Sequence, residues 1–235
     1  MPYPSHKISI IIPVLNEASY IGKLLEHIAE NSSKENIEEI IVVDGGSTDE
    51  SQNIIGAYKK IVLLQGSKGR AKQMNLGAQN AKGSILYFLH ADSFPPKDFD
   101  LDILKEVQQN NIGCYRLRFE NPDHQLLRVS QWFTRFNFSL FRGGDQSLFI
   151  RKEDFETLNG FNEQFLIYED IEFINRIYLR FNFVVINRDI ITSERKFRKN
   201  GIVKLHFNFL MIHIKSWLGA SPEALYNYYN RQIRE

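Results

Sequence analysis

The sequence predicts an α/β fold built on a mixed, mainly parallel sheet flanked by helices, and three observations carry that expectation. Dense β-branched and aliphatic runs, Ile8–Val14 and 37–43 among them, have the composition of strands buried on both faces. Segments with apolar residues at helical spacing alternate with these runs. The links between them are short, and strand–helix–strand order with short links implies parallel pairing through right-handed crossovers.

Taken in order, Ile8–Val14 leads to a helix marked by Ile21, Leu24, Leu25 and Ile28. Run 37–43 ends at Asp44-Gly45-Gly46. The following Ser47-Thr48-Asp49-Glu50 has the pattern of a capping box, with Ser47 as the cap and Glu50 reaching back. Ile54, Ile55 and Tyr58 continue that helix, and 61–64 is a third strand. Residues 69–80 read as a helix that Gly83 would terminate. A fourth strand, 85–89, runs into His90-Ala91-Asp92. Beyond it the pattern is less regular: strands are expected at Ile112–Phe119, 147–150 and 183–190, and helices at 126–138, 171–181 and 203–218. No repeat, low-complexity tract or linker interrupts the chain, so one domain over 1–235 is expected.

Composition bounds the function. A chain of 235 residues can bury one sizeable core and is short for two. A net charge of +1 gives no overall field for nucleic acid, so none is expected as a partner and anion recognition must be local. Cys114 is alone, which excludes an internal disulfide and fits a reducing compartment. Residues 1–7 lack the apolar stretch of a signal peptide, and no run of about 18 apolar residues occurs. A cytoplasmic protein is the expectation. Many of the 18 Phe and 10 Tyr sit in the second half. Helix 203–218 is apolar well beyond one narrow face, so it is either clamped between the sheet and another element or rests on a lipid surface at the inner membrane face. The clamped reading is preferred, because the second half needs a lid.

Ligands of open α/β sheets bind outside the carboxyl ends of the strands. No GxGxxG follows the first strand and no GxxxxGK[ST] occurs, which removes the dinucleotide and P-loop readings. Asp44, before two glycines, is either a reader of a base edge or a turn Asp capping the next helix. Asp92 suits a divalent cation bridging phosphates, or simply starts the turn before Pro95-Pro96. His90 is a ligand, a phosphate contact or a satisfied, partly buried histidine, the last two being preferred together. Lys68, Arg70 and Lys72 make an anion site at a helix N-terminus or a solvated basic face. The loop Gly143-Gly144-Asp145-Gln146 is a tight turn or an acceptor loop. Glu169-Asp170 either complements a helix dipole or supplies a carboxylate general base.

The order of these blocks carries more than any one of them. Val43-Asp44-Gly45-Gly46-Ser47-Thr48-Asp49, Gly69-Arg70-Ala71-Lys72-Gln73-Met74-Asn75-Leu76-Gly77-Ala78, Phe88-Leu89-His90-Ala91-Asp92, Gly143 to Gln146, Glu169-Asp170, Thr192-Ser193-Glu194-Arg195 and Leu218 to Glu223 follow one another along the chain. In this the sequence resembles family-2 glycosyltransferases of the GT-A, Rossmann-like fold, and among them a short bacterial branch labelled arsenosugar-biosynthesis or radical-SAM-associated. The resemblance implies an inverting transfer of a single sugar from a nucleoside-diphosphate sugar, UDP-linked by default, to an unidentified hydroxyl acceptor. It implies a nucleotide-sugar half to about residue 95 and an acceptor-facing half from about 96. Pro13, Asn16 and Glu17 would line the nucleoside pocket with Gly45, and Asp44 would read the base. Arg70 would stand near the base or diphosphate, Arg195 would help stabilise the diphosphate, and His90 and Ala91 would belong to the nucleotide-sugar site. Asp92 would be the direct ligand of Mn2+ or Mg2+. Asp170, with Glu169 as the next candidate, would be the base, and Gly144, Asp145 and Gln146 would face the acceptor. His90 stands where the family's DxD motif has its first acid, and the QxxRW motif of polymerising members is absent. Two rivals are a binding module that has lost turnover and a sugar-1-phosphate nucleotidyltransferase. The second lacks support, since Pro13-Val14-Leu15-Asn16-Glu17 replaces its glycine-rich loop.

Overall fold

In the computed structural model, which describes residues 6–233, one eight-stranded sheet runs through the chain. Its first four strands are β1 (Ile8–Val14), β2 (Ile37–Asp44), β3 (Ile61–Gln65) and β4 (Ile85–Phe88). The others are β5 (Ser93–Phe94), β6 (Ile112–Phe119), β7 (Leu148–Arg151) and β8 (Phe183–Thr192), in the order β3-β2-β1-β4-β7-β6-β8-β5. β1 to β4 are mutually parallel, while β7 runs antiparallel to both β4 and β6. β6 and β8 are parallel, with a register irregularity at Tyr115/Arg116, and the short β5 closes the edge antiparallel to β8.

The strands form where the apolar runs predict them because both faces of the sheet are covered. Every residue of β1 is buried. Ile8, Ile10, Ile12 and Val14 face helix α1 (Ile21–Asn31), whose Ile21, Leu24, Leu25 and Ile28 supply the matching stripe. Ile11, Ile41 and Val43 face helix α3 (Arg70–Asn80). α3 lies so close that a methyl group on Gly77 would stand 2.5 Å from Ile11 Cγ2, closer than any carbon contact tolerates.

Three local expectations are corrected. The capping box does not form. Helix α2 is only Ser51–Gly56, Ser47 Oγ accepts instead from Asn16 N (2.9 Å), and Glu50 binds Asn53 Nδ2 (2.7 Å). Gly83 does not cap α3, which ends extended at Ala81; Gly83 is where the chain passes against Lys7 and Ser9. The expected helix 126–138 ends early, as α5 (Gln125–Phe133). The structure adds α4 (Phe99–Gln108), α6 (Lys152–Thr157), α8 (Arg195–Asn200) and α10 (Pro222–Gln232) to the expected α7 (Glu169–Tyr178) and α9 (Ile202–Trp217).

α9 is not clamped between the sheet and another element. Its Leu205 and Ile212 join Leu225 and Tyr229 of α10 in a small separate core, and the opposite face is exposed. Among the described residues no helix is long and apolar enough to cross a membrane. The expectation about a leader concerns residues 1–7, of which 1–5 lie outside the described residues.

Candidate active site

The carboxyl ends of β1 and β2 lie side by side, Val14 in register with Asp44. Gln73 of α3 ties them together, donating Nε2 to Val14 O (2.8 Å) and Val43 O (2.7 Å). A methyl at Gly45 would stand 3.0 Å from that amide nitrogen, so a larger residue there would push on the Gln73 amide that ties the strands together. Asp44 is fully buried. Its Oδ2 accepts from Gly46 N (3.0 Å), Ser47 N (3.0 Å) and Gln52 Nε2 (2.9 Å), while Oδ1 has no partner. One oxygen therefore does the work of a turn aspartate and the other is left over. A buried acceptor without a donor is costly, and a ligand N–H relieves that cost. Asn16, at φ 58°, spends its side chain on Thr48 N (2.8 Å) and frames the corner, and Pro13 is buried inside β1.

A charged cluster follows β4. Ala91 turns into the core and contributes no contact surface, contrary to expectation. His90 Nδ1 lies 3.0 Å from Asp145 Oδ1. Asp92 Oδ2 lies 3.2 Å from Arg195 Nη2, which also reaches Glu17 Oε1 at 2.5 Å. The Arg195 guanidinium sits 4.6 Å from the centre of the Tyr20 ring, whose hydroxyl meets Ser193 Oγ at 2.9 Å. One arginine thus crosslinks the β1 and β4 ends.

Loss of water and the nearby Asp145 charge push the Asp92 carboxyl up, against Arg195. Desolvation likewise pushes Glu17 up, opposed by Arg195. For the His90–Asp145 pair, desolvation works against both charges. Desolvation is the largest single influence on each, but the hydrogen bond and the mutual charge attraction together overcome it, raising His90 and, with Arg70, holding the Asp145 carboxyl at about 2.

α7 closes the cluster. Tyr168, in the left-handed region at φ 69°, turns the chain so that Glu169 and Asp170 are the first residues of the helix. Glu169 is fully buried, with Oε1 2.7 Å from Arg70 Nε, an ion pair without a directional hydrogen bond. It is an anchor for Arg70, closed to any acceptor, which corrects its reading as a base. Asp170 Oδ1 accepts from Ile171 N (2.8 Å) and Oδ2 from Gly144 N, each keeping a second lone pair. A methyl on Gly144 would stand 2.6 Å from Asp170 Oδ2 and 2.6 Å from His90 Cε1. Glycine alone lets the two approach across this loop. The Tyr168 hydroxyl meets His213 Nδ1 of α9 at 3.1 Å.

The structure brings Glu17, Arg70, His90, Asp92, Asp145, Asp170 and Arg195 into one constellation beside the Asp44 corner. Gln146 is excluded: it is buried, its Oε1 taken by Arg142 and its Nε2 donating to Phe141 O (2.6 Å). Lys68 and Lys72 are exposed and unlike Arg70 stay outside. Sequence reasoning missed Gln73, Gln52 and Tyr20 as supports; only Gln73 had a signal, standing inside the block at 69–78. A groove of about 770 Å³ lies elsewhere, between α3, α6 and α7, but its Arg176 is already spent on Glu172, Leu158 O and Gly160 O. The charged cluster holds the reactive groups.

Among the described residues no three His, Cys, Asp or Glu side chains form a ready metal cage. Asp92, beside a Glu17 Oε2 that is buried without a partner, fits a cation held mainly by a ligand's phosphates, the manner in which Mg2+ binds at one or two carboxylates.

Comparison with known proteins gives this arrangement its context. GlyG, a glycosyltransferase of Streptococcus pneumoniae, is 34% identical over 125 residues, covering 51% of this chain and 41% of that protein. A dolichyl N-acetyl-alpha-D-glucosaminyl phosphate diacetamido-dideoxy-glucuronosyltransferase of Methanococcus voltae is 36% identical over 124 residues, covering 49% and 36%. The chain thus spans less than half the length of these curated relatives. Among solved structures, the mannosyltransferase PcManGT of Pyrobaculum calidifontis, in complex with GDP-Man and Mn2+, superposes with a TM-score of 0.71 at 19% identity, over 97% of this chain and 70% of that one. TarS of S. aureus in complex with UDP-GlcNAc gives 0.64 at 21% identity, over 80% and 59%. The fold is therefore that of GT-A glycosyltransferases. Residues 9–168 match Glycosyl transferase family 2, and the chain belongs to that family.

Proposed function

We propose that the protein transfers a single sugar from a nucleoside-diphosphate sugar to a hydroxyl acceptor, with inversion at the anomeric carbon. The observation that carries this reading is the unpartnered, buried Oδ1 of Asp44 beside a cluster that mixes acids and guanidinium groups. A base N–H satisfies Asp44. Arg70, Arg195 and His90 face the negative charge that grows on the leaving diphosphate. Asp92 would hold a divalent cation, whose chemistry there is to neutralise that diphosphate. Asp170 accepts the proton of the acceptor hydroxyl as its oxygen attacks, the C–O bond to the diphosphate breaks, and the nucleoside diphosphate departs. This is one displacement, without a covalent intermediate. A UDP-sugar is the favoured donor, with the UDP-GlcNAc and GDP-Man of the structural relatives as the two precedents. Residues up to about 95, joined by Arg195, serve the donor, and the half from about 96 faces the acceptor. Assignment to the arsenosugar-linked branch rests on the sequence blocks alone.

A thermal-shift series with UDP and GDP, each with and without Mn2+, tests the reading. A nucleotide at 100 times its Kd stabilises by about 2.7 kcal/mol, and Asp44→Asn, which offers a donor in place of an acceptor oxygen, should reduce the shift most for the preferred base. No shift with either nucleotide would remove the donor assignment.

A further inference from the structure

α9 has two apolar faces where a helix on a protein surface needs one. The inner one is accounted for by α10. The outer one consists of Val203, Phe207, Leu210, Ile214, Trp217 and Leu218, spaced i, i+4, i+7, i+11, i+14 and i+15, with no polar residue in the stripe. Phe207 is 59% exposed, Leu218 73% and Trp217 86%. α5 packs alongside α9, its His124 end near His206. It and the turn after it expose Trp132, Phe136, Phe138 and Leu140. Ring contacts at 4.9–6.3 Å knit these aromatics into one cluster with Phe133 and Phe141, so they are held at the surface rather than left loose. Contiguous exposure on this scale marks an interaction site.

Charge says what kind of partner fits. Segments 124–144 and 195–222 hold no Asp or Glu and nine Lys and Arg, of which Arg142 is buried, Arg195 belongs to the cleft and Arg198 pairs with Glu194 and Asp123, leaving six cations for this side of the molecule. The rest of the chain is correspondingly acidic. Lys204 and Lys215 run along one edge of the α9 stripe, and the Arg135 guanidinium lies 4.9 Å from the Trp132 ring. A second copy docked two-fold on this face would set these acid-free segments against themselves, cation facing cation. A nucleic acid would meet the cations but gain nothing from Val203, Leu210, Ile214 and Leu218, which neither stack nor hydrogen-bond. Exposed aromatic and aliphatic side chains flanked by Lys and Arg suit the boundary between anionic headgroups and acyl chains.

We infer that the outer face of α9, together with the aromatic cluster after α5, is a docking surface for an anionic lipid bilayer. The protein lies on the membrane and does not cross it. The opposite flank of α9 carries His213, whose contact with Tyr168 adjoins the Glu169-Asp170 turn. The same helix therefore touches both the bilayer and the edge of the cleft.

Flotation of the full chain with vesicles of phosphatidylcholine alone, or of phosphatidylcholine with phosphatidylglycerol, tests this. Binding is expected with the anionic vesicles, weakened by salt, and weak with the neutral ones. Each of Lys204→Gln and Lys215→Gln should lower the vesicle partition by about fivefold. The variant Phe207→Ser/Leu210→Ser/Trp217→Ser changes only exposed side chains. It should keep the melting temperature and nucleotide response of the parent while losing flotation, so the docking and transferase readings can fail separately. In a Trp132→Phe background Trp217 is the one remaining tryptophan, and its emission should shift to the blue on adding anionic vesicles. Absence of binding to anionic vesicles would overturn the inference. So would binding that the triple variant retains, or a dimer seen by light scattering that the triple variant abolishes while vesicles have no effect.

Discussion

The half of the chain up to β4 and the half beyond it contribute differently to the same cleft. In the first, every functional group but Arg70, which opens α3, stands at or just after a strand end: Glu17 after β1, Asp44 at the end of β2, His90 and Asp92 after β4. The sheet places them, and the helices on both faces hold the sheet. In the second half, groups arrive through long-range contacts. Gly144 bonds Asp170 across 26 residues, and Arg195 reaches Glu17 across 178. Strand-end chemistry is positioned by the core, whereas loop and helix-start chemistry is positioned by the site itself. The first kind should show its defects as lost stability, the second as lost turnover.

The largest expected effect belongs to the second half. Asp170→Asn preserves shape and can still occupy the space beside Gly144, but it no longer accepts a proton. Turnover should fall by about 10²–10⁴-fold with donor affinity nearly unchanged. Measured kcat within a few-fold of the parent would take Asp170 out of the proposed chemistry and blur the division between the halves.

Two glycines sharpen it next. At Gly144 an added methyl collides with Asp170 Oδ2 and His90 Cε1, both at 2.6 Å, so Gly144→Ala must displace the loop that joins them. A shift of about 1 Å in a catalytic group can cost about 10²-fold, so activity should drop by that order while the melting temperature moves little. At Gly77 the methyl would meet Ile11 Cγ2 at 2.5 Å and Val43 Cγ2 at 3.3 Å, between α3 and the sheet. Gly77→Ala should destabilise by about 1–3 kcal/mol from overpacking, less about 0.5–1 kcal/mol regained in helix propensity, and the folded fraction should turn over normally. Urea melts and initial rates on both variants decide the matter. If both lose stability alike, the proposed distinction fails.

The same difference governs what the sequence discloses. β1, β2 and β4 are legible because burial demands runs rich in Ile, Val and other apolar side chains, and the ends of β2 and β4 are legible because Asp44 and Asp92 break the apolar pattern. The orphan state of Asp44 Oδ1 is not, since the three donors that occupy Oδ2 come from a turn and from Gln52 on α2. Nor is the Arg195 crosslink, which no local pattern announces. The misplaced capping box has a plain cause: Ser47 and Glu50 have the right spacing, but the loop after β1 competes for the Ser47 hydroxyl and wins through Asn16 N. α10 was readable, with Ser221 as N-cap to Ala224 N (3.2 Å) and Pro222 in the first turn, yet the segment draws attention as a family block rather than as a helix start. α9 misleads in the opposite sense, because a helix apolar all round reads as buried when only one of its faces is.

The smallest effect probes that helix. His206 and His213 both lie on α9, and loss of water pushes both imidazoles below the usual value of 6.5, Asp170 opposing the shift at His213 and the Ile202 carbonyl at His206. A folded-state value below the unfolded one means that the neutral ring is the folded form. The stability these residues allow is therefore full above about pH 6.5 and declines as pH falls through their folded values. β1 and β4 carry no histidine and escape this. Hydrogen exchange at pH 7.5 and pH 5.5, corrected for intrinsic rates, should show protection of α9 declining relative to β1, and His206→Gln/His213→Gln should flatten the difference. An α9 as insensitive to acid as the sheet would mean that its histidines lose little water on folding, and that the helix is bound to the second half less closely than its contacts with Tyr168 and α10 imply.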